Sequence, residues 1–124
     1  MQITKTELNG HDIAIISGSE IIIHDVQSAL DFMATVRYEA GCDRIVIGAD
    51  LISPDFFDLK TRLAGEILQK FINYQVKLAI IGDFSGYDSQ SLRDFIYESN
   101  NGQNFFFVPD EQQALEKLGA AGRI

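Results

Sequence analysis

The chain has 124 residues, 46% of them hydrophobic, and 18 acidic against 10 basic side chains give a formal net charge of −8. That length suits one domain with a core of its own, and a surface of that sign repels phosphate backbones and anionic membranes, so neither nucleic acid nor a membrane is expected as a partner. The lone Cys42 rules out an internal disulfide, no apolar run approaches the ~20 residues of a membrane span, and MQITKTELNG has no apolar signal core, which together predict a cytoplasmic protein.

Residues 3–8 and 12–17 read as extended segments around Asn9-Gly10-His11. Asn-Gly takes positive φ readily, so these first two strands are expected to pair antiparallel as a hairpin. Residues 21–23 read as an extended lead-in to a helix capped by Asp25, with Val26, Ala29, Leu30, Met33 and Val36 inward and Gly41 as its stop. Cys42, just before the next strand, reads as a half-buried structural thiol. A third strand spans 44–49.

Ser53 then stands as an N-cap with Pro54 at the first helical position. The spacing of Phe56, Leu59, Leu63, Ala64, Ile67, Leu68, Phe71 and Ile72 predicts one continuous amphipathic helix from there. Residues 76–82 are apolar almost throughout, as expected of a strand buried on both faces of a parallel sheet. Ser89 caps a shorter helix through Leu92, Phe95 and Ile96 that ends near Asn100-Asn101-Gly102. Residues 104–108 form a fifth strand. Asp110 caps a last helix, with Gln113 where a capping box places it and Gly119 as its end, and a tail after about 118 is expected to fray. The order is ββαβαβαβα in a single α/β domain spanning 1–124, an antiparallel hairpin followed by parallel strands with helical crossovers.

Few motifs carry chemistry. No Gly-x-Gly-x-x-Gly follows a strand and no Gly-Lys-Ser/Thr is present, so no nucleotide loop and no cofactor is implied. Gly82-Asp83-Phe84-Ser85-Gly86 has the wrong spacing for a nucleophile elbow. His11, His24 and Cys42 lack zinc spacing. Asp50 and Asp83 follow the third and fourth strands, where open α/β sheets hold ligands, and such a carboxylate pair suits Mg²⁺ and a phosphoryl group; the plainer account is that both solvate loops. Ser85, Tyr87 and Arg93 are the polar groups able to gather near Asp83, although the preferred reading of Arg93 is a surface ion pair with Asp94 or Glu98. Asp58 with Lys60 reads as a solvated helix face.

Phe105, Phe106 and Phe107 alternate across the fifth strand, so both faces receive a large side chain, and the plainer account is a doubly wound sheet whose own helices cover both. With helices largely on one side of the sheet, Ile13, Ile15, Ile45, Ile47 and Phe106 would help form an exposed apolar patch on the other. Such a patch marks a partner surface, and a homodimer is one expectation from it.

The runs Glu20-Ile21-Ile22-Ile23, Pro54-Asp55-Phe56-Phe57-Asp58-Leu59-Lys60 and Leu63-Ala64-Gly65-Glu66-Ile67-Leu68-Gln69-Lys70 carry a resemblance, continued by residues 77–85 and 91–100. Nearly the whole chain resembles the DUF4180 family, small bacterial proteins of unknown function. The element order is similar to that of STAS domains, found in anti-sigma-factor antagonists and sulfate-transporter tails. In regulatory STAS domains an Asp-Ser pair opens the helix after the third strand and the serine is phosphorylated. Here Asp58 matches the acid, Leu59 stands at the serine position, and Ser53 and Thr61 are near neighbours.

The leading expectation is a regulatory or protein-interaction module with no chemistry of its own, its partner a protein. Its expected contact region is Ser53, Asp58, Lys60 and Thr61 beside Asp83, Ser85 and Arg93. The competing expectation is a small-ligand binder or Mg²⁺-dependent phosphoryl enzyme built on Asp50 and Asp83. A third is a structural homodimer without a small-molecule pocket.

Overall fold

The hairpin forms as Asn9-Gly10 dictates. In the computed structural model, which describes residues 1–122, β1 (Gln2–Leu8) pairs antiparallel with β2 (His11–Ser17), from Gln2↔Ser17 to Leu8↔His11. Asn9 and Gly10 sit at φ 55° and 81°, the positive values that a two-residue turn needs to match the strand twist. The lead-in at 21–23 is tied down by a parallel bridge between Ile23 and Ile52 and by Ser53 N–H donating to Ile23 O at 2.8 Å.

Helix α1 (Val26–Ala40) begins in a reciprocal cap. Asp25 Oδ1 accepts from Ser28 N at 2.7 Å while Ser28 Oγ accepts from Asp25 N at 3.0 Å. Gly41, at φ 65°, ends it by donating to Arg37 O. The stripe that goes inward is Ala29, Phe32, Met33 and Val36, while Val26 and Leu30 are only partly buried. The remaining elements are β3 (Arg44–Gly48), α2 (Leu63–Asn73), β4 (Lys77–Ile81), α3 (Gln90–Asn100), β5 (Phe105–Val108) and α4 (Glu111–Ala120). Ser89 and Asp110 cap α3 and α4, accepting from Leu92 N and Gln113 N.

The sheet runs β1-β2-β3-β4-β5, with β2 through β5 parallel. Each crossover steps one strand in the same direction, so crossovers of one hand put α1, α2 and α3 on the same face. Their core joins Ile45, Ile47, Leu78, Ile80 and Phe107 on that front face. Helix α4 has no later strand to reach and crosses the back, where Ala114 and Leu118 cover Ile13, Val46, Ala79 and Phe106.

Three expectations need correction. The helix does not start at Ser53. Three 3-10 turns, Ala49–Leu51, Pro54–Phe57 and Leu59–Thr61, precede α2, and Arg62 sits between at φ 63° in the left-handed region. The reason is packing. Phe56 and Phe57 are both buried, which a single inward helical stripe accommodates poorly, and Thr61 Oγ1 donates to Asp55 O and Asp58 O at 2.8 Å each, tightening the turns. Second, the exposed patch does not exist: Ile13 and Phe106 lie under α4, Ile15 packs at its margin, and Ile45 and Ile47 point to the opposite face under the crossover helices. Third, Gly119 does not end α4, which runs to Ala120. A Cβ on Gly119 would lie 2.8 Å from Leu8 Cδ2, so this glycine marks close approach of the helix to β1. The tail expected to fray after about 118 falls partly on residues 123–124, which lie outside the described residues; before them, Gly122 N–H donates to Gln103 Oε1 at 2.7 Å.

Candidate functional site

The carboxyl ends of the strands are where a ligand would sit in an open α/β sheet. Gly48 pairs with Ile81, so Asp50 and Asp83 each stand two residues beyond matched positions of adjacent strands. Each carboxylate is turned to its own loop in a different way. Asp50 is exposed and its Oδ1 folds back on Gly48, into the space that a Cβ of that glycine would take. Asp83 is exposed as well and accepts from Ser85 N at 3.0 Å and Ser85 Oγ at 2.6 Å. The hydroxyl, then the amide, hold its carboxyl below the ordinary carboxylate range. Among the described residues no group of three or more His, Cys, Asp and Glu gathers as a metal centre would require.

The 53–61 segment is a series of self-satisfied turns. Ser53 Oγ accepts from Asp55 N at 3.3 Å, Asp58 Oδ1 accepts from Lys60 N at 3.2 Å, and Thr61 bridges two carbonyls. Asp58, Lys60 and Thr61 are thus brought together, with their outer surfaces exposed. Arg93 stays with its own helix start, Nη2 donating to Asp88 O at 3.2 Å. No hydrogen bond or ion pair joins it to Asp83, Asp94 or Glu98 among the described residues, and Asp94 accepts instead from Gln90 at 2.8 Å.

Aromatic rings fill the space between these loops. Phe57 lies with its centroid 5.0 Å from Phe56, 5.9 Å from Phe84 and 5.8 Å from Tyr87, and Phe107 lies 5.5 Å from Phe84 and 5.8 Å from Phe95. The geometry is edge-to-face or tilted at most contacts, as the ring quadrupole favours. A cavity of about 260 Å³ lies between Gly82, Asp83, Phe84, Phe107, Val108 and Pro109.

The amino ends of the strands hold residues that sequence reasoning missed. Arg44 and Lys77, paired neighbours at the starts of β3 and β4, are both buried. Arg44 donates to Leu118 O and Ala121 O, placing a cation at the carboxyl end of α4 where the helix dipole favours it. Lys77 Nζ donates to Gln103 O at 2.8 Å and Asn104 Oδ1 at 3.1 Å. A cavity of about 390 Å³ opens beside them, also lined by Asp12, Asp43 and Gln75. The signal was available: each of these apolar strands opens on a basic residue, which in a buried sheet needs acceptors at its tip. A second hollow, of about 420 Å³, lies over Leu30, Met33 and Tyr74. Cys42 is buried outright rather than half-buried, and burial pushes its thiol up, as befits an inert structural cysteine. His24 Nδ1 lies 3.4 Å from Asp25 Oδ2 at the exposed start of α1.

No helix among the described residues is long and apolar enough to cross a membrane. No curated protein and no solved structure matches the chain. Residues 8–118 match the family described as Domain of unknown function (DUF4180), from the end of β1 to near the end of α4. With that match covering strands β2 to β5, their crossovers and the aromatic cluster alike, the chain belongs to the DUF4180 family.

Proposed function

We propose that the protein is a non-catalytic regulatory module of the bacterial cytoplasm that binds another protein through the 53–61 turns and the adjoining Asp83–Ser85 turn. The observation that carries this reading is the aromatic cluster of Phe57, Phe84, Tyr87 and Phe107. It packs into the crevice in which an α/β sheet would seat a small substrate, beside a cavity of about 260 Å³, and underlies a polar ridge. The ridge is also pre-ordered. Ser53, Asp58 and Thr61 already fix its turns, so docking a partner freezes little further backbone. The STAS-like order of elements agrees with such a role by analogy of fold alone.

The test compares affinity capture from the native cell by the wild type and by a Lys60→Glu variant, which leaves the Asp58 cap in place. The expected result is a defined partner retained by the wild type and lost from the variant at unchanged melting temperature. The competing reading, a Mg²⁺ or phosphoryl site on Asp50 and Asp83, rests on their matched strand positions. A rise of several degrees in melting temperature with Mg²⁺, a nucleotide or a phosphorylated metabolite, abolished by Asp83→Ala, would favour it and overturn ours.

A further inference from the structure

The two edges of this open sheet are treated differently. At β5, Asn100 closes the edge: its Nδ2 donates to Phe107 O at 3.1 Å and its Oδ1 accepts from Phe107 N at 2.7 Å. One side-chain amide thereby takes both outward groups of that residue, as a neighbouring strand would. Nothing comparable covers β1. The pair Leu8–His11 closes a two-residue turn and is hydrogen-bonded, so alternation turns the backbone groups of Thr6 and Thr4 toward β2 and those of Glu7, Lys5 and Ile3 outward. No hydrogen bond to those outward groups occurs among the described residues.

Charge along this edge indicates what fits it. Glu7 lies directly opposite Asp12 on β2, a like-charge pair that costs stability, and Lys5 reaches Asp12 at 3.5 Å rather than Glu7. We propose that a second copy of this chain pairs through β1, antiparallel, about a two-fold axis at Thr6, joining the two sheets into one. The register follows from the charges. An axis at Lys5 sets two ammonium groups face to face, and an axis at Glu7 sets two carboxylates face to face. An axis at Thr6 places each Lys5 opposite Glu7 of the other copy in a hydrogen-bonded pair, with the two Thr6 side chains meeting on the axis. Each Glu7 then gains a cation that none of the described residues of its own chain supplies.

Net charge of −8 on each copy opposes the association, but screening over ~8 Å at physiological salt leaves contact pairs dominant over that long-range repulsion. An edge pairing is small beside a standard protein interface, so the dimer is concentration-dependent. This inference stands independently of the partner-binding ridge, which lies at the other end of the strands from the β1 turn.

Sedimentation equilibrium at physiological salt tests it, read across micromolar to millimolar protein. The wild type is expected to dimerise. Lys5→Glu and Glu7→Lys are each expected to weaken the dimer by roughly tenfold or more, about 1.4 kcal/mol or more. Mixing the two single variants re-forms opposite-charge pairs at both positions, and so does the double variant; both should restore association. Lys5 is half-exposed, and equal melting temperatures of the diluted variants establish that folding is intact. A wild type that stays monomeric overturns the proposal. So does a dimer indifferent to both single variants, which would use another surface, or a mixture that fails to associate.

Discussion

Lys77 sits at odds with its surroundings. It is 6% exposed, next to Arg44, and bonded only to neutral oxygens. Burial first and the neighbouring guanidinium second lower its pKa, with Asp43 partly opposing them. Between that lowered folded value and the unfolded ~10.4, the unfolded chain holds the proton and the folded chain does not. Stability therefore rises with pH across that window, and below it the charged ammonium costs the fold its full penalty. Subtracting the urea midpoint of Lys77→Met from that of the wild type removes the other alkaline titrations. The difference should climb as pH approaches 10.4, and a flat difference would show that Lys77 feels no net penalty. Arg62 is a second residue under local tension, at φ 63° without a glycine's freedom. It buys the sharp re-aiming that lets α2 start where the buried phenylalanine pair ends.

At the scale of elements, one residue of α3 and one of α4 make contacts with an edge strand that single substitutions can test. Asn100→Ala removes both partners of Phe107 at once and should cost about 1–3 kcal/mol by chemical denaturation. No loss would mean that water replaces the amide fully at that edge. Gly119→Ala sets two effects against each other: alanine gains about 1 kcal/mol of helix propensity, but its Cβ meets Leu8 at 2.8 Å. We expect the clash to win, with a net loss of about 1–3 kcal/mol. Leu8→Ala in the same background should recover part of it, and strict additivity of the two changes would show that they do not touch.

Elements whose signals are local could be read from the chain. Asp25, Ser89 and Asp110 cap within three residues, Asn9-Gly10 turns within two, and Asp83 meets Ser85 two positions on. The start of α2 could not. Helical spacing at 54–62 is real, yet the need to bury Phe56 and Phe57 together is set by the sheet beneath them. The aromatic cluster was hidden for the same reason, since Phe57, Phe84 and Phe107 come from three segments that meet only once β3, β4 and β5 are aligned.

Across the whole molecule, the expected bare face of the sheet came from reading Ile13, Ile15, Ile45 and Ile47 as one surface. Alternation along each strand is legible from sequence, but which face a given strand turns toward α4 depends on its register with its neighbours. The pairing Ala14↔Ile45 resolves it by putting Ile13 and Val46 behind the sheet and Ile45 in front.

Because α4 reaches across all five strands, its covering role also sets an order of events in biosynthesis. Strands in sequence order let each newly made strand dock on one already present, and the crossover helices bury the front face as they emerge. The back must wait. Until the last helix is made, Ile13, Val46, Ala79, Phe106 and Val108 form a wet apolar surface on an otherwise assembled sheet. A chain cut short before Glu111 is therefore a nearly finished protein with an adhesive back, and holdase chaperones are the natural readers of that state.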